Sequence, residues 1–113
     1  MRQKQRFALL KHAGHPIKED HFDLVIEGFI LKGEEQKSLM KFEADKIIRV
    51  IEEADYRGNV RERYLTYEGV MDGSRGSVMR IDSGEYSINE QGEFVFEGKQ
   101  MNGRYTLSLR KLA

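Results

Sequence analysis

The stretch from Ser77 to Leu109, SVMRIDSGEYSINEQGEFVFEGKQMNGRYTLSL, decides the fold class. Val78 and Ile81 lead into Asp82-Ser83-Gly84, and the run Tyr86 to Ile88 leads into Asn89-Glu90-Gln91-Gly92. Phe94-Val95-Phe96 is followed in turn by Met101-Asn102-Gly103. Short apolar runs therefore alternate with turn-forming residues at intervals of roughly ten positions. Within the runs the period is two: Phe94 and Phe96 flank Val95, and Tyr105, Leu107 and Leu109 alternate with Thr106, Ser108 and Arg110. Successive side chains of a strand point to opposite faces, so this spacing buries one face. The pattern predicts a mainly β protein, a small antiparallel β-barrel.

Working outward, Leu65 and Tyr67 extend the β pattern upstream to Tyr64, with Gly73-Ser74-Arg75-Gly76 as a turn. Near the N-terminus, Phe7-Ala8-Leu9-Leu10 reads as a buried strand closing on Lys11-His12. Ala13 to Asp20, with Gly14 and Pro16, reads as a loop. Phe22, Leu24 and Ile26 then alternate with Asp23, Val25 and Glu27, which predicts a strand to about Leu31. Gly33-Glu34-Glu35-Gln36 turns the chain, and Leu39 to Phe42 completes a hairpin. Glu43 to Ala54 is the one helix candidate, a short flanking helix ended by Tyr56-Arg57-Gly58-Asn59; its Ile47, Ile48, Val50 and Ile51 suit a strand as well. The predicted core is Phe7, Leu9, Leu24, Ile26, Tyr86, Phe94, Phe96, Tyr105 and Leu107.

A chain of 113 residues is expected to form one domain, residues 1–113, with a single core. Its 19 Lys plus Arg balance 19 Asp plus Glu, which excludes a general polyanion-coating protein but leaves room for a local basic patch. The absence of Cys removes disulfides, cysteine zinc sites and thiol nucleophiles together. Its apolar runs are too short to span a bilayer, so a cytoplasmic protein without membrane partners is expected.

The chemistry concentrates in one short segment. His12, His15 and His21 are all the histidines of the chain, and Asp23 follows the last of them by two. On a strand, His21 and Asp23 share a face, and a histidine from the 12–15 segment can join them. Two imidazoles and a carboxylate suit Zn²⁺, Mn²⁺ or Fe²⁺ with positions left open for water or substrate. Solvated histidines that hold nothing would read the same way, because His-x-Asp alone is a weak signal.

These residues lie within a longer resemblance. Arg6-Phe7-Ala8-Leu9-Leu10-Lys11-His12 followed by His21-Phe22-Asp23-Leu24-Val25-Ile26-Glu27-Gly28 resembles the opening of the 3′-phosphoesterase domain of bacterial ligase D. Tyr64-Leu65-Thr66-Tyr67-Glu68-Gly69, the segment from Gly76 to Tyr86 and the segment from Phe96 to Leu107 resemble later parts of that domain, in order. The resemblance implies a small β-barrel with a Mn²⁺-dependent site that removes 3′-phosphates and 3′-ribonucleotides from DNA ends in repair. By position it puts the metal on His12, His21 and Asp23 and the active-site tyrosine on Tyr64. The family's six-residue spacing between its metal histidines fits His15 and His21 instead, so His15 stands as the alternative to His12. Zn²⁺ is the alternative ion.

Two positions depart from the family. Its arginine two residues after the metal aspartate is Val25 here, and its histidine four before the tyrosine falls on Val60. Arg61, Arg63 and Arg75 are the candidate phosphate contacts in their place; solvated charges would be the plainer reading of each. The expected activity is a stand-alone, metal-dependent phosphoesterase acting on nucleic-acid 3′ ends, a monomer working with a repair ligase or polymerase in trans. The alternative is a binding module for nucleic-acid ends or repair proteins in which catalysis has been lost.

Overall fold

A computed structural model describes residues 4–28, 39–44 and 55–105 of the chain. Its strands are β1 (Gln5–Ala13), β2 (His21–Ile26), β3 (Leu39–Ala44), β4 (Asp55–Val60), β5 (Gly69–Val70), β6 (Ser77–Ile88), β7 (Phe94–Glu97) and β8 (Asn102–Tyr105). All pairings are antiparallel and run in the order β4-β3-β2-β1-β6-β7-β8, with β5 added to β6. The mainly β architecture is as expected. Among the described residues the ladder runs from β4 to β8 and no pairing joins these two strands, so the expected barrel closure is not seen there. No helix among them is long and apolar enough to cross a membrane.

The continuous apolar run of β1 is explained by burial on both faces of the sheet. Phe7 and Leu9 point to one side, where they meet Leu24, Ile26, Phe42, Tyr86, Phe94, Phe96 and Met101 in the main core. Ala8 and Leu10 point to the other, where Val25, Leu39, Tyr64, Leu65 and Val78 form a second, smaller core. Residues opposite one another across a strand pair share a face. Because Leu10 pairs with Asp23 and His12 with His21, the metal candidates project on the side of the smaller core. Eight of the nine predicted core residues belong to the main core or pack against it; the ninth, Leu107, lies outside the described residues.

Several local expectations are corrected. Asp82-Ser83-Gly84 is not a turn but the middle of β6, paired with Leu9, Ala8 and Phe7. Ile81 is the extra residue of a bulge between Leu9 and Leu10, which turns Asp82 into the main-core side. There its carboxylate accepts the amides of Ser83, Lys99, Gln100 and Met101 at 2.8–2.9 Å and organises the turn joining β7 to β8. Gly84 is glycine because a Cβ would collide with the carbonyl oxygen of Glu97 on β7. That turn spans Gly98 to Met101 rather than Met101 to Gly103, leaving Asn102 and Gly103 in β8. Tyr56 to Asn59 likewise belongs to β4, paired with β3, rather than ending a helix. Of the expected helix, Glu43 and Ala44 lie in β3, and residues 45–54 lie outside the described residues, as do 33–36 of the expected turn. Tyr64 and Leu65 belong to a one-turn 3₁₀ helix, Glu62–Leu65, because the Arg61 and Arg63 carbonyls capture the Tyr64, Thr66 and Tyr67 amides locally.

The Asp82 hub gives a direct stability test. Burial opposes ionisation of its carboxyl, but the amides of the turn hold its pKa below the usual carboxylate range. Asp82→Ala is expected to cost about 1.5–3 kcal/mol in urea unfolding, the scale of hydrogen bonds to a charged group. A change of less than about 0.5 kcal/mol, as at an ordinary surface position, would mean that the turn does not depend on it.

Candidate metal centre

His12 ends the buried part of β1, and His21 opens β2 directly opposite it. Their ring centroids lie 4.7 Å apart. Asp23, two residues along β2 on the same face, reaches both rings: its Oδ2 is 3.1 Å from His12 Nδ1 and its Oδ1 is 3.2 Å from His21 Nε2. All three side chains are buried, at 4%, 6% and 3% exposure, and one ligand atom from each falls within 4.8 Å of the others.

The far side of each ring decides what the near side offers. His12 Nε2 lies 2.7 Å from the Arg75 carbonyl oxygen, and His21 Nδ1 lies 2.8 Å from that of Glu19. A carbonyl oxygen only accepts, so those two nitrogens carry the protons. The neutral rings then turn unprotonated Nδ1 of His12 and Nε2 of His21 toward the Asp23 carboxylate. Lone pairs facing a carboxylate across about 3 Å need a positive charge between them. His21 Nε2 and Asp23 Oδ1 are indeed buried with no hydrogen-bond partner. Either a proton or a metal ion satisfies them, and carbonyls anchoring the distal imidazole nitrogens are what metal-ligating histidines generally use. The three residues therefore fit a divalent ion.

Electrostatics follow from the same contacts. The Asp23 carboxylate beside its ring favours the protonated form and raises the His21 pKa above the ordinary imidazole value, against the effect of burial. Burial opposes ionisation of Asp23 itself. The neighbouring His12 and His21 rings and the charge of Lys41 nevertheless hold its carboxyl far below the usual range. These neighbours favour Asp23 as the carboxylate.

The structure brings His12, not His15, to Asp23. The His15 ring packs edge-on to His12 at 5.7 Å and its Nδ1 accepts the Ile17 and Lys18 amides, so it shapes the loop between β1 and β2. Gly76 helps to place the Arg75 carbonyl: it has φ 88°, and a Cβ there would collide with the Ala13 carbonyl oxygen.

Arg61, Arg63 and Arg75 line one open groove of about 510 Å³, which Tyr64 also lines. Lys41 and Arg57 also line it, and among the described residues no carboxylate does. The Arg63 guanidinium lies over the Tyr64 and Tyr67 rings at 5.0 and 5.1 Å and donates to the Tyr64 hydroxyl. The ring of Tyr64 is buried in the smaller core, so its hydroxyl is held by a rigid support. Arg75 joins the two regions, its carbonyl on His12 and its side chain on the groove.

Lys41, Arg57 and Glu43 were missed by sequence reasoning. Lys41 stands directly across from Val25 and Glu43 across from Asp23. A cation thus stands on the neighbouring strand opposite Val25. Only the β2–β3 register reveals this; Lys41 and Glu43 in isolation look like ordinary surface charges of a strand. Val60 lines the groove as an apolar wall.

No family model and no curated protein matches this chain.

Proposed function

We propose that the protein is a metal-dependent phosphoesterase acting on the 3′ ends of nucleic acid, removing a terminal phosphate or ribonucleotide. One observation carries this reading: two carbonyl-anchored imidazoles direct bare nitrogens at one buried carboxylate, beside a groove lined by five cations. A divalent ion bound by His12, His21 and Asp23 supplies Lewis acidity to a phosphoryl oxygen. Mn²⁺ follows from the resemblance to the ligase D domain, and the same donor set accepts Zn²⁺. Lys41, Arg57, Arg61, Arg63 and Arg75 bind the phosphates and offset charge that develops during transfer. Tyr64, gripped by Arg63, presents a hydroxyl at the edge of the same groove. The reading includes the closed barrel of that family, a monomeric state, a cytoplasmic location and a repair ligase or polymerase as partner in trans.

The test is release of phosphate or a ribonucleoside from a labelled DNA 3′ end with Mn²⁺ added. Turnover is expected for the unaltered chain and for most of its amplitude in His15→Ala, but not in His12→Ala or His21→Ala. Val25 and Val60 favour a second reading, a nucleic-acid-end binding module. Saturable binding of the 3′ end without release of either product would replace the first reading with the second.

A further inference from the structure

Glu43 is used by neither reading, yet it is among the most heavily contacted carboxylates near the site. Its side chain is only 11% exposed and sits opposite Asp23, an arrangement of like charges that is unfavourable unless something offsets it. Three cations do so. Lys18 Nζ lies 2.8 Å and Lys41 Nζ 3.2 Å from Oε1, and Arg57 Nε lies 3.4 Å from Oε2. Lys41 and Arg57 line the groove, whereas Glu43 is not among its described lining residues, so the carboxylate holds these cations from outside the groove lining. Lys18 belongs to the loop between the two metal histidines, and Glu43 Oε1 is 3.9 Å from His21 Nε2.

We infer that Glu43 is the positioning residue of the phosphate site: from behind the groove it fixes Lys41 and Arg57, and through Lys18 it ties them to the metal-bearing loop. Long cationic side chains lose rotamer freedom when they grip a phosphate, and a buried carboxylate that has already ordered them removes part of that cost. This rests on reading the groove as a phosphate site, and it names the residue that organises it.

The sign of one measurement separates positioning from simple electrostatics. Inorganic phosphate is titrated into the metal-free full chain at low salt, followed by NMR shifts, for the wild type and Glu43→Gln. Removing a negative charge near an anion site tightens binding if only Coulomb forces act. Positioning predicts the opposite, phosphate binding weaker by about three- to tenfold. Arg57→Gln should weaken phosphate binding in the wild type and have a smaller effect in Glu43→Gln, because the two side chains act as a unit. Mn²⁺ binding should remain saturable in Glu43→Gln. Should Glu43→Gln not melt cooperatively, Glu43→Asp, which withdraws the carboxylate from its partners but keeps the charge, carries the same comparison. Unchanged or tighter phosphate binding, or additive effects, overturns the inference. Loss of Mn²⁺ binding also overturns it, by making Glu43 a ligand. A wild type that binds phosphate but not Mn²⁺ removes the metal reading and leaves the positioning role intact.

Discussion

His21→Ala is expected to abolish saturable Mn²⁺ and Zn²⁺ binding, leaving at most weak surface association. The imidazole of His21 supplies the bare Nε2 that faces Asp23, and its distal nitrogen is already committed to the Glu19 carbonyl, so no rearrangement of the ring replaces it. The same geometry sets a pH dependence of two opposite signs. An ordinary imidazole titrates near about 6.5, and Asp23 raises His21 above that value. In metal-free protein, protonated His21 donates to Asp23. That contribution to stability is full below the unfolded-state pKa and is lost as pH rises through the raised folded-state pKa. A metal needs the deprotonated ring, so its affinity climbs over the same window. Calorimetric titration and thermal melts from about pH 5.5 to about 8 test both trends. The His21 contribution to metal-free stability should fall with rising pH, while the stabilisation gained from Mn²⁺ should grow. Binding that is flat across this range, or that survives His21→Ala, would place the ion elsewhere.

Phe96→Ala is expected to destabilise the protein by about 3–5 kcal/mol, the cost of deleting a buried Phe and leaving a cavity. Phe96 is 1% exposed and contacts four rings: Phe7 and Tyr105 edge-on at 4.9 and 5.4 Å, Tyr86 and Phe94 in near-parallel stacking at 5.6 and 6.4 Å. Those partners come from β1, β6, β7 and β8, so the ring stitches four strands together. The void cannot easily collapse, because neighbouring strands hold their spacing through backbone hydrogen bonds. Chemical unfolding monitored by circular dichroism measures the loss. A cost below about 1 kcal/mol would show that these strands do not depend on this ring.

What could be read directly from the residues was whatever repeats at the period of a strand. Phe22, Leu24 and Ile26, like Phe94 and Phe96, declared their buried face by alternation alone, and His21 and Asp23 shared a face by the same rule. Turns were less legible. Asp82-Ser83-Gly84 has turn composition, but pairing with β1 satisfies its backbone and the β7–β8 turn satisfies its carboxylate, so tertiary contacts outweigh local preference. The site was legible in proportion to how local it is. His21-x-Asp23 is one strand's property, and the choice between His12 and His15 already needed the register of β1 on β2.

By itself, then, the amino-acid sequence determined the mainly β class, the main core and the His–Asp pair, because strand periodicity is a local property of the chain. The tertiary structure alone decided that His12 rather than His15 lies beside His21 and Asp23 and that Lys41 stands opposite Val25. It alone brought Glu43 against Lys18, Lys41 and Arg57. Each of these depends on which residue lies opposite which across a strand pair, and a shift of one residue in register would send every one of those side chains to the other face.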